Sequence, residues 1–153
     1  MMNRTLLVLV FLLVTSCGSD NSRDSAHAFA GKFMAAENKA WSTGDVADLK
    51  ALEDNNVVYH LPGLDVTGWK AHEEYIVQGR PKIANLKQNW SYLSGEGSHF
   101  GLAYDSTATL LGDGKTPPSD VANNYLFFFR LKDNKIAEVW VNGSATNSEP
   151  KKR

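Results

Sequence analysis

The chain has 153 residues, 42% of them hydrophobic and 22% charged, with a formal net charge of −1. This length suits one domain, the apolar fraction excludes a disordered chain, and the near-neutral balance removes the electrostatic basis for nucleic-acid binding. The one cysteine, Cys17, excludes a disulfide framework and a cysteine-rich zinc module.

The chain opens on a short positive start at Arg4, followed by an unbroken apolar run from Leu6 to Val14. That run is far shorter than the roughly 20 residues a membrane-spanning helix needs, and it suits the apolar region of a secretory signal. Val14-Thr15-Ser16-Cys17 then gives way to the polar Gly18-Ser19-Asp20-Asn21-Ser22. Charge, apolar run, small residues and cysteine, in that order, resemble a bacterial lipoprotein signal. The resemblance implies cleavage before Cys17, lipid on that residue, and a domain tethered to a membrane of the bacterial cell envelope, on the periplasmic or outer-membrane side. Residues 1–16 then read as signal, 17–24 as a polar tether, 25–143 as the folded domain and 144–153 as a polar tail.

Ser25 to Thr43 reads as a helix, because Phe29, Phe33, Ala36 and Ala40 recur at helical spacing with Trp41 beside them. Gly44 stops it. Asp45 can cap a short second helix whose apolar face is Val46, Leu49 and Leu52. Val57-Val58-Tyr59-His60 reads as a short strand ended by Leu61-Pro62-Gly63. Thr67 can cap a third helix, with Trp69, His72, Ile76 and Gly79 on one face and Tyr75 adjacent; Gly79-Arg80-Pro81 breaks or kinks it. The period then changes. Leu86 to Ser94, Ser98 to Leu111, Val121 to Lys132 and Lys135 to Asn142 read as strands, the last two joined by a tight Asp133-Asn134 turn. Helices first and an antiparallel sheet after them is an α+β plan.

Ala40-Trp41-Ser42-Thr43-Gly44-Asp45, Leu49 to Leu52, Val57 to Gly63, Gly68-Trp69-Lys70-Ala71 and Asn134 to Trp140 resemble, in order and spacing, the SnoaL-like branch of the nuclear-transport-factor-2-like superfamily. The resemblance spans about residues 26–143. It implies a curved antiparallel sheet wrapped on three helices, a cone with an internal pocket, and frequently a homodimer. The superfamily includes polyketide cyclases, steroid isomerases, epoxide hydrolases, dehydratases and non-catalytic binding domains, so fold alone does not set the activity.

The resemblance also locates candidate chemistry. Ketosteroid isomerases of this superfamily carry an aspartate where this chain has Leu61, and their second aspartate aligns near Phe127, so both acids are absent. His60 is the nearest titratable group, although strand alternation turns it to the face opposite Leu61. On the last strand Glu138, Trp140 and Asn142 share a face. If that face lines the pocket, Glu138 is a carboxyl beside an aromatic wall, placed for acid–base work. Asn123, Tyr125, Phe127 and Phe129 share a face one strand earlier, and Tyr125 can donate to a ligand carbonyl. His60, Glu138 and Tyr125 are therefore the candidate catalytic residues. Trp41, Tyr59, Trp69, His72, Trp90, Asn123, Trp140 and Asn142 are the candidate pocket residues, and Cys17 is the lipidation site.

No histidine pair has metal-ligand spacing, and no glycine-rich loop follows a strand, so neither a metal nor a nucleotide cofactor is expected. The expected ligand is a small, fairly apolar molecule, because aromatic walls with a few polar groups describe a ligand pocket. A cone filled by its own side chains would instead favour a protein-association domain.

Overall fold

A computed structural model describes residues 19–147; the signal segment, Cys17 and the last residues of the polar tail lie outside that range. Helix α1 spans Ser19–Thr43 and starts six residues before the expected Ser25, so most of the tether reads as its first turns. Its buried stripe is Ala26, Ala30, Phe33, Ala36 and Ala40. Small residues alternating with one large ring let the helix lie close against the sheet. Helix α2 spans Ala47–Leu52 and buries Leu49; the Asp45 carboxyl takes the Ala47 N–H, 3.0 Å away. Helix α3 spans Trp69–Gly79 and buries Trp69, His72 and Ile76, as the spacing predicts. Thr67 does not cap it. The helix follows Gly68, whose φ of 84° suits glycine, with no side-chain cap.

The sheet strands are β1 (Glu53–Leu61), β2 (Leu64–Thr67), β3 (Ile83–Glu96), β4 (His99–Leu110), β5 (Ser119–Lys132) and β6 (Lys135–Asn147). Their order across the sheet is β2-β1-β6-β5-β4-β3. Every neighbouring pair is antiparallel except β1 and β6. β2 is an element the sequence reading lacks; it pairs back on β1 across Pro62-Gly63, where Gly63 holds φ 78°. β6 runs into the expected polar tail, because its residues to Asn147 pair with β5. The β5–β6 turn is the tight one expected: Asp133 and Asn134 both hold positive φ, the pattern that matches strand twist in two-residue hairpins.

The strands bend around the helices, helped by ladder irregularities at Ala84/Lys87, Tyr92/Ser94 and Arg130/Leu131. Residue parity decides which face meets them. Phe100 and Leu102 on β4, Phe129 on β5 and Val139 on β6 point inward and are buried; Leu126, Phe128 and Trp140 point outward and stay exposed. Phe33 of α1 packs edge-on against Phe129, with ring centroids 4.7 Å apart, and Phe129 stacks on Phe100 at 4.3 Å. This aromatic column closes one end of the cone and leaves the other open as a cavity.

Candidate active site

The cavity lies between the inner sheet face and helices α1 and α3 and has a volume of about 420 Å³. That is room for a small organic ligand. Trp41, Tyr75, Leu86, Trp90, Phe127 and Val141 supply apolar wall, while Glu37, His72, Gln88, Ser106, Asn123 and Tyr125 supply polar atoms. Two glycines shape it. A side chain at Gly79 would press on the Trp41 ring, 3.1 Å from an added Cβ. One at Gly143 would run into the Asn124 carbonyl and the Tyr125 ring.

Of the residues singled out in the sequence, Trp41, Tyr59, His72, Trp90, Asn123 and Tyr125 line this cavity. Trp69 does not; it is buried in the core, edge-on to His72 with ring centroids 6.1 Å apart. His60, Glu138, Trp140 and Asn142 do not line it either. Leu61 faces the cavity, so its strand neighbour His60 faces outward. Val139 and Val141 point inward on β6, which turns Glu138, Trp140 and Asn142 to the outer face.

His60 and Glu138 do meet, but outside. Parallel pairing sets Val58 opposite Glu138 and His60 opposite Trp140. His60 Nε2 lies 3.2 Å from Glu138 Oε1 and its Nδ1 lies 3.1 Å from Asp65. Arg130 donates twice to Glu138 Oε2, at 2.9 and 2.7 Å, and the His60 ring stacks on Trp140. The Arg130 hydrogen bonds, followed by that from His60, hold the Glu138 carboxyl below its ordinary range. The Glu138 bond raises His60, with Asp65 adding to it. Such a set is a partly exposed charge network outside the cavity between the sheet and helices α1 and α3.

The buried polar network sits elsewhere; the sequence points to its Tyr59 and His72 as pocket residues and gives no notice of Glu53 or Glu37. Glu53, at the start of β1, is 2% exposed. Tyr59 donates its hydroxyl proton to Glu53 Oε1 at 2.6 Å. His72 Nδ1 lies 3.1 Å from both Glu53 oxygens. The Tyr59 and His72 rings pack at 4.1 Å. With the Nδ1 edge taken by Glu53, the Nε2 edge is the one able to serve a ligand. Burial pulls the His72 imidazole down, but the Glu53 bond and the charges of Glu53 and Glu37 outweigh it, so the group is raised above its ordinary value. Tyr59 is held neutral: burial, then the charges of Glu53 and Glu37, push its hydroxyl well up.

Glu37 completes the set. It is 6% exposed, lies on α1 one turn after Phe33 and one before Trp41, and lines the cavity. Burial raises its carboxyl from 4.5 to about 7, the nearby His72 charge opposing and the Glu53 charge reinforcing that shift. A buried carboxyl raised to about 7 at a cavity wall can both take and give a proton near neutral pH. Its sequence signal is visible in hindsight: an acid at i+4 from Phe33 and i−4 from Trp41 breaks an apolar helix stripe. Glu53 has no comparable signal, because it follows Leu52 at a helix–strand junction. No group of three or more His, Cys, Asp or Glu side chains suited to a metal occurs among the described residues.

Residues 32–139 match the family model described as a SnoaL-like domain. A search of curated proteins finds no match. Among solved structures, an NTF2-like protein from Burkholderia xenovorans LB400 superposes with a TM-score of 0.61 at 14% identity, covering 80% of this chain and 92% of that one. An LEH-like epoxide hydrolase from M. tuberculosis superposes at 0.60 and 12% identity, covering 80% and 84%. The epoxide hydrolase/cyclase-like enzyme SalBIII, of pyran ring formation in the polyether salinomycin, gives 0.62 and 18%, covering 78% and 92%. At these identities the likeness is one of fold.

Proposed function

The chain belongs to the SnoaL-like domain family, and from that premise we propose that it is a cofactor-free acid–base enzyme acting on a small, largely apolar molecule inside the cone. The observation that carries this reading is Glu37, a cavity-lining carboxyl raised to about 7 beside an imidazole whose protonated form Glu53 favours. Two titrating groups in one enclosed site are what proton transfer within a single substrate requires.

The division of labour follows from the partners. Glu53 fixes the His72 ring through Nδ1 and favours its protonated form, and Tyr59 fixes Glu53. His72 therefore gives a proton from Nε2 to the substrate. Glu37, ionised in part at neutral pH, takes one from carbon or from water. Tyr125 on the sheet wall is placed to donate to a ligand oxygen. Proton removal with protonation elsewhere covers isomerisation, cyclisation and dehydration; proton removal from water covers epoxide opening. Epoxide-hydrolase names among the structural neighbours support this class.

The test uses two probes. The protein in D₂O, given the bicyclic ketone 2-decalone, should exchange the ketone's α-protons faster than buffer alone, or it should hydrolyse cyclohexene oxide. Either activity should vanish in Glu37→Gln. A ketone that binds in the cavity with neither reaction above background would make this a binding protein instead.

The anchoring reading stands beside the enzymatic one. Arg4, the apolar Leu6 to Val14 run and Cys17 support export and lipidation, which would hold the domain at the bacterial envelope by acyl chains on one cysteine. No helix among the described residues is long and apolar enough to cross a membrane. Mass spectrometry of the membrane fraction should find an acylated N-terminal Cys17, and Cys17→Ser should release the domain to the soluble fraction. Unmodified Cys17 in a soluble protein would overturn it.

A further inference from the structure

The sheet wall of the cavity holds a second polar feature that the proton chemistry of Glu37 and His72 does not use. Gln88, Ser106 and Asn123 stand in register across β3, β4 and β5 and all line the cavity. They form one polar row, bounded on one side by the aromatic row of Trp90, Tyr104 and Tyr125. Asn123 donates to Ser106 Oγ at 2.9 Å, and Gln88 donates to the Tyr104 hydroxyl at 3.3 Å. Each amide uses one N–H in these bonds and keeps its carbonyl and a second N–H to offer.

An apolar wall would be cheaper to bury than Gln88, Ser106, Asn123 and the Tyr104 hydroxyl, because each polar atom left without a partner costs stability. Their remaining capacity is neutral and two-sided: an amide presents either a donor or an acceptor. No lysine or arginine lines the cavity, and Glu37 lines it with Glu53 just behind His72. A carboxylate or phosphate would meet the Glu37 and Glu53 carboxyls and no lysine or arginine, and the His72 imidazole is already paired with Glu53.

We infer that the Gln88–Ser106–Asn123 row, with Tyr104, recognises an uncharged oxygen function, a carbonyl or a hydroxyl, on the ligand. This rests on the reading of the cavity as a ligand site. The substrate class is then a neutral, compact, mostly hydrocarbon molecule with one oxygen function held by the sheet wall and its reacting atoms turned to the helix wall.

The experiment compares three probes of nearly equal bulk: decalin, 2-decalone and decahydronaphthalene-2-carboxylate. Binding is read by quenching of the cavity tryptophans Trp41 and Trp90. The wild type should bind the ketone at least about 10-fold more tightly than the hydrocarbon, one or two good hydrogen bonds' worth, and the carboxylate most weakly. The Gln88→Leu/Asn123→Leu variant should lose that preference while keeping its affinity for decalin; Glu37→Gln should keep it. The carbonyl infrared band of 2-decalone bound to the wild type should also fall to lower frequency than in hexane, a reading that needs no variant.

An unshifted band, or equal ketone preference in the wild type and the double variant, would overturn the inference. A preference lost in Glu37→Gln and kept in the double variant would place the oxygen at the helix wall, overturning the inference and leaving the cavity reading intact. Failure of all three probes to bind would remove the cavity reading itself, and the inference with it.

Discussion

Among the described residues are two histidine–glutamate pairs of similar donor–acceptor distance, on opposite sides of one sheet. His60 Nε2 lies 3.2 Å from Glu138 on the outer face; His72 Nδ1 lies 3.1 Å from Glu53 behind the cavity. The outer pair has side chains 33% and 25% exposed and shares its charge with Arg130 and Asp65; the inner pair is 6% and 0% exposed. Residue types and distances are the same, and the consequences are not. Outside, water screens the pair, and the carboxyl is lowered by a bidentate arginine. Inside, the pair is a fixed charge distribution that water does not screen, next to a third group, Glu37, which burial has moved to about 7. Enclosure and the extra carboxyl separate a candidate active site from a surface ion pair.

Breaking the inner set should have the largest effect. His72→Gln and Glu37→Gln should each lower α-proton exchange or epoxide hydrolysis by about 10³-fold, within the range for removing a general acid or base. Comparable rates in the wild type and both variants would erase the distinction between the faces. Glu53→Ala removes one partner of a buried pair and should cost about 3–5 kcal/mol in chemical denaturation. The milder Glu53→Gln tests positioning. It should remove the Glu53 charge and its hydrogen bond, the largest interactions that raise His72, while burial remains, so the alkaline limb of the pH–rate profile moves to lower pH. An unchanged limb would make Glu53 merely structural.

Next in size is a gain. Glu37 ionises near 4.5 in the unfolded chain and about 7 when folded. Between those values the unfolded chain releases a proton that the folded one keeps, so stability falls as pH rises from about 4.5 to 7. Above pH 7 the penalty reaches about 3 kcal/mol, and Glu37→Gln should recover much of it at pH 8 while abolishing activity. A destabilised Glu37→Gln at pH 8 would show that the carboxyl is not held against its burial. The smallest effect belongs to the outer face. His60→Ala and Glu138→Gln should each change stability by no more than about 1 kcal/mol and leave the rate within about threefold. A large loss of rate would move the chemistry outside.

Much of the fold was legible in the sequence because periodicity is a property of one segment at a time. Phe33, Ala36 and Ala40 marked α1; Trp69, His72 and Ile76 marked α3; Asp133-Asn134 marked the last hairpin. β2 was not legible, since Leu64–Thr67 is a strand only because β1 lies beside it. The site was half legible. Alternation already turned His60 away from Leu61, and that argument was stronger than the attraction of a titratable residue near the expected position. Glu138 could not be placed from sequence, because nothing local says which face of β6 meets the helices. The His72–Glu53 contact joins residues 19 apart through a strand start and a helix face, and no spacing rule reaches it.

The most direct test of the central claim is the titration of Glu37 itself. Carboxyl-selective infrared difference spectra between wild type and Glu37→Gln, taken from pH 4 to pH 9, should show one buried carboxyl losing its proton with a midpoint near 7. A midpoint near the ordinary 4.5 would mean that the cavity holds an ordinary carboxylate, and the proton-transfer account would be wrong.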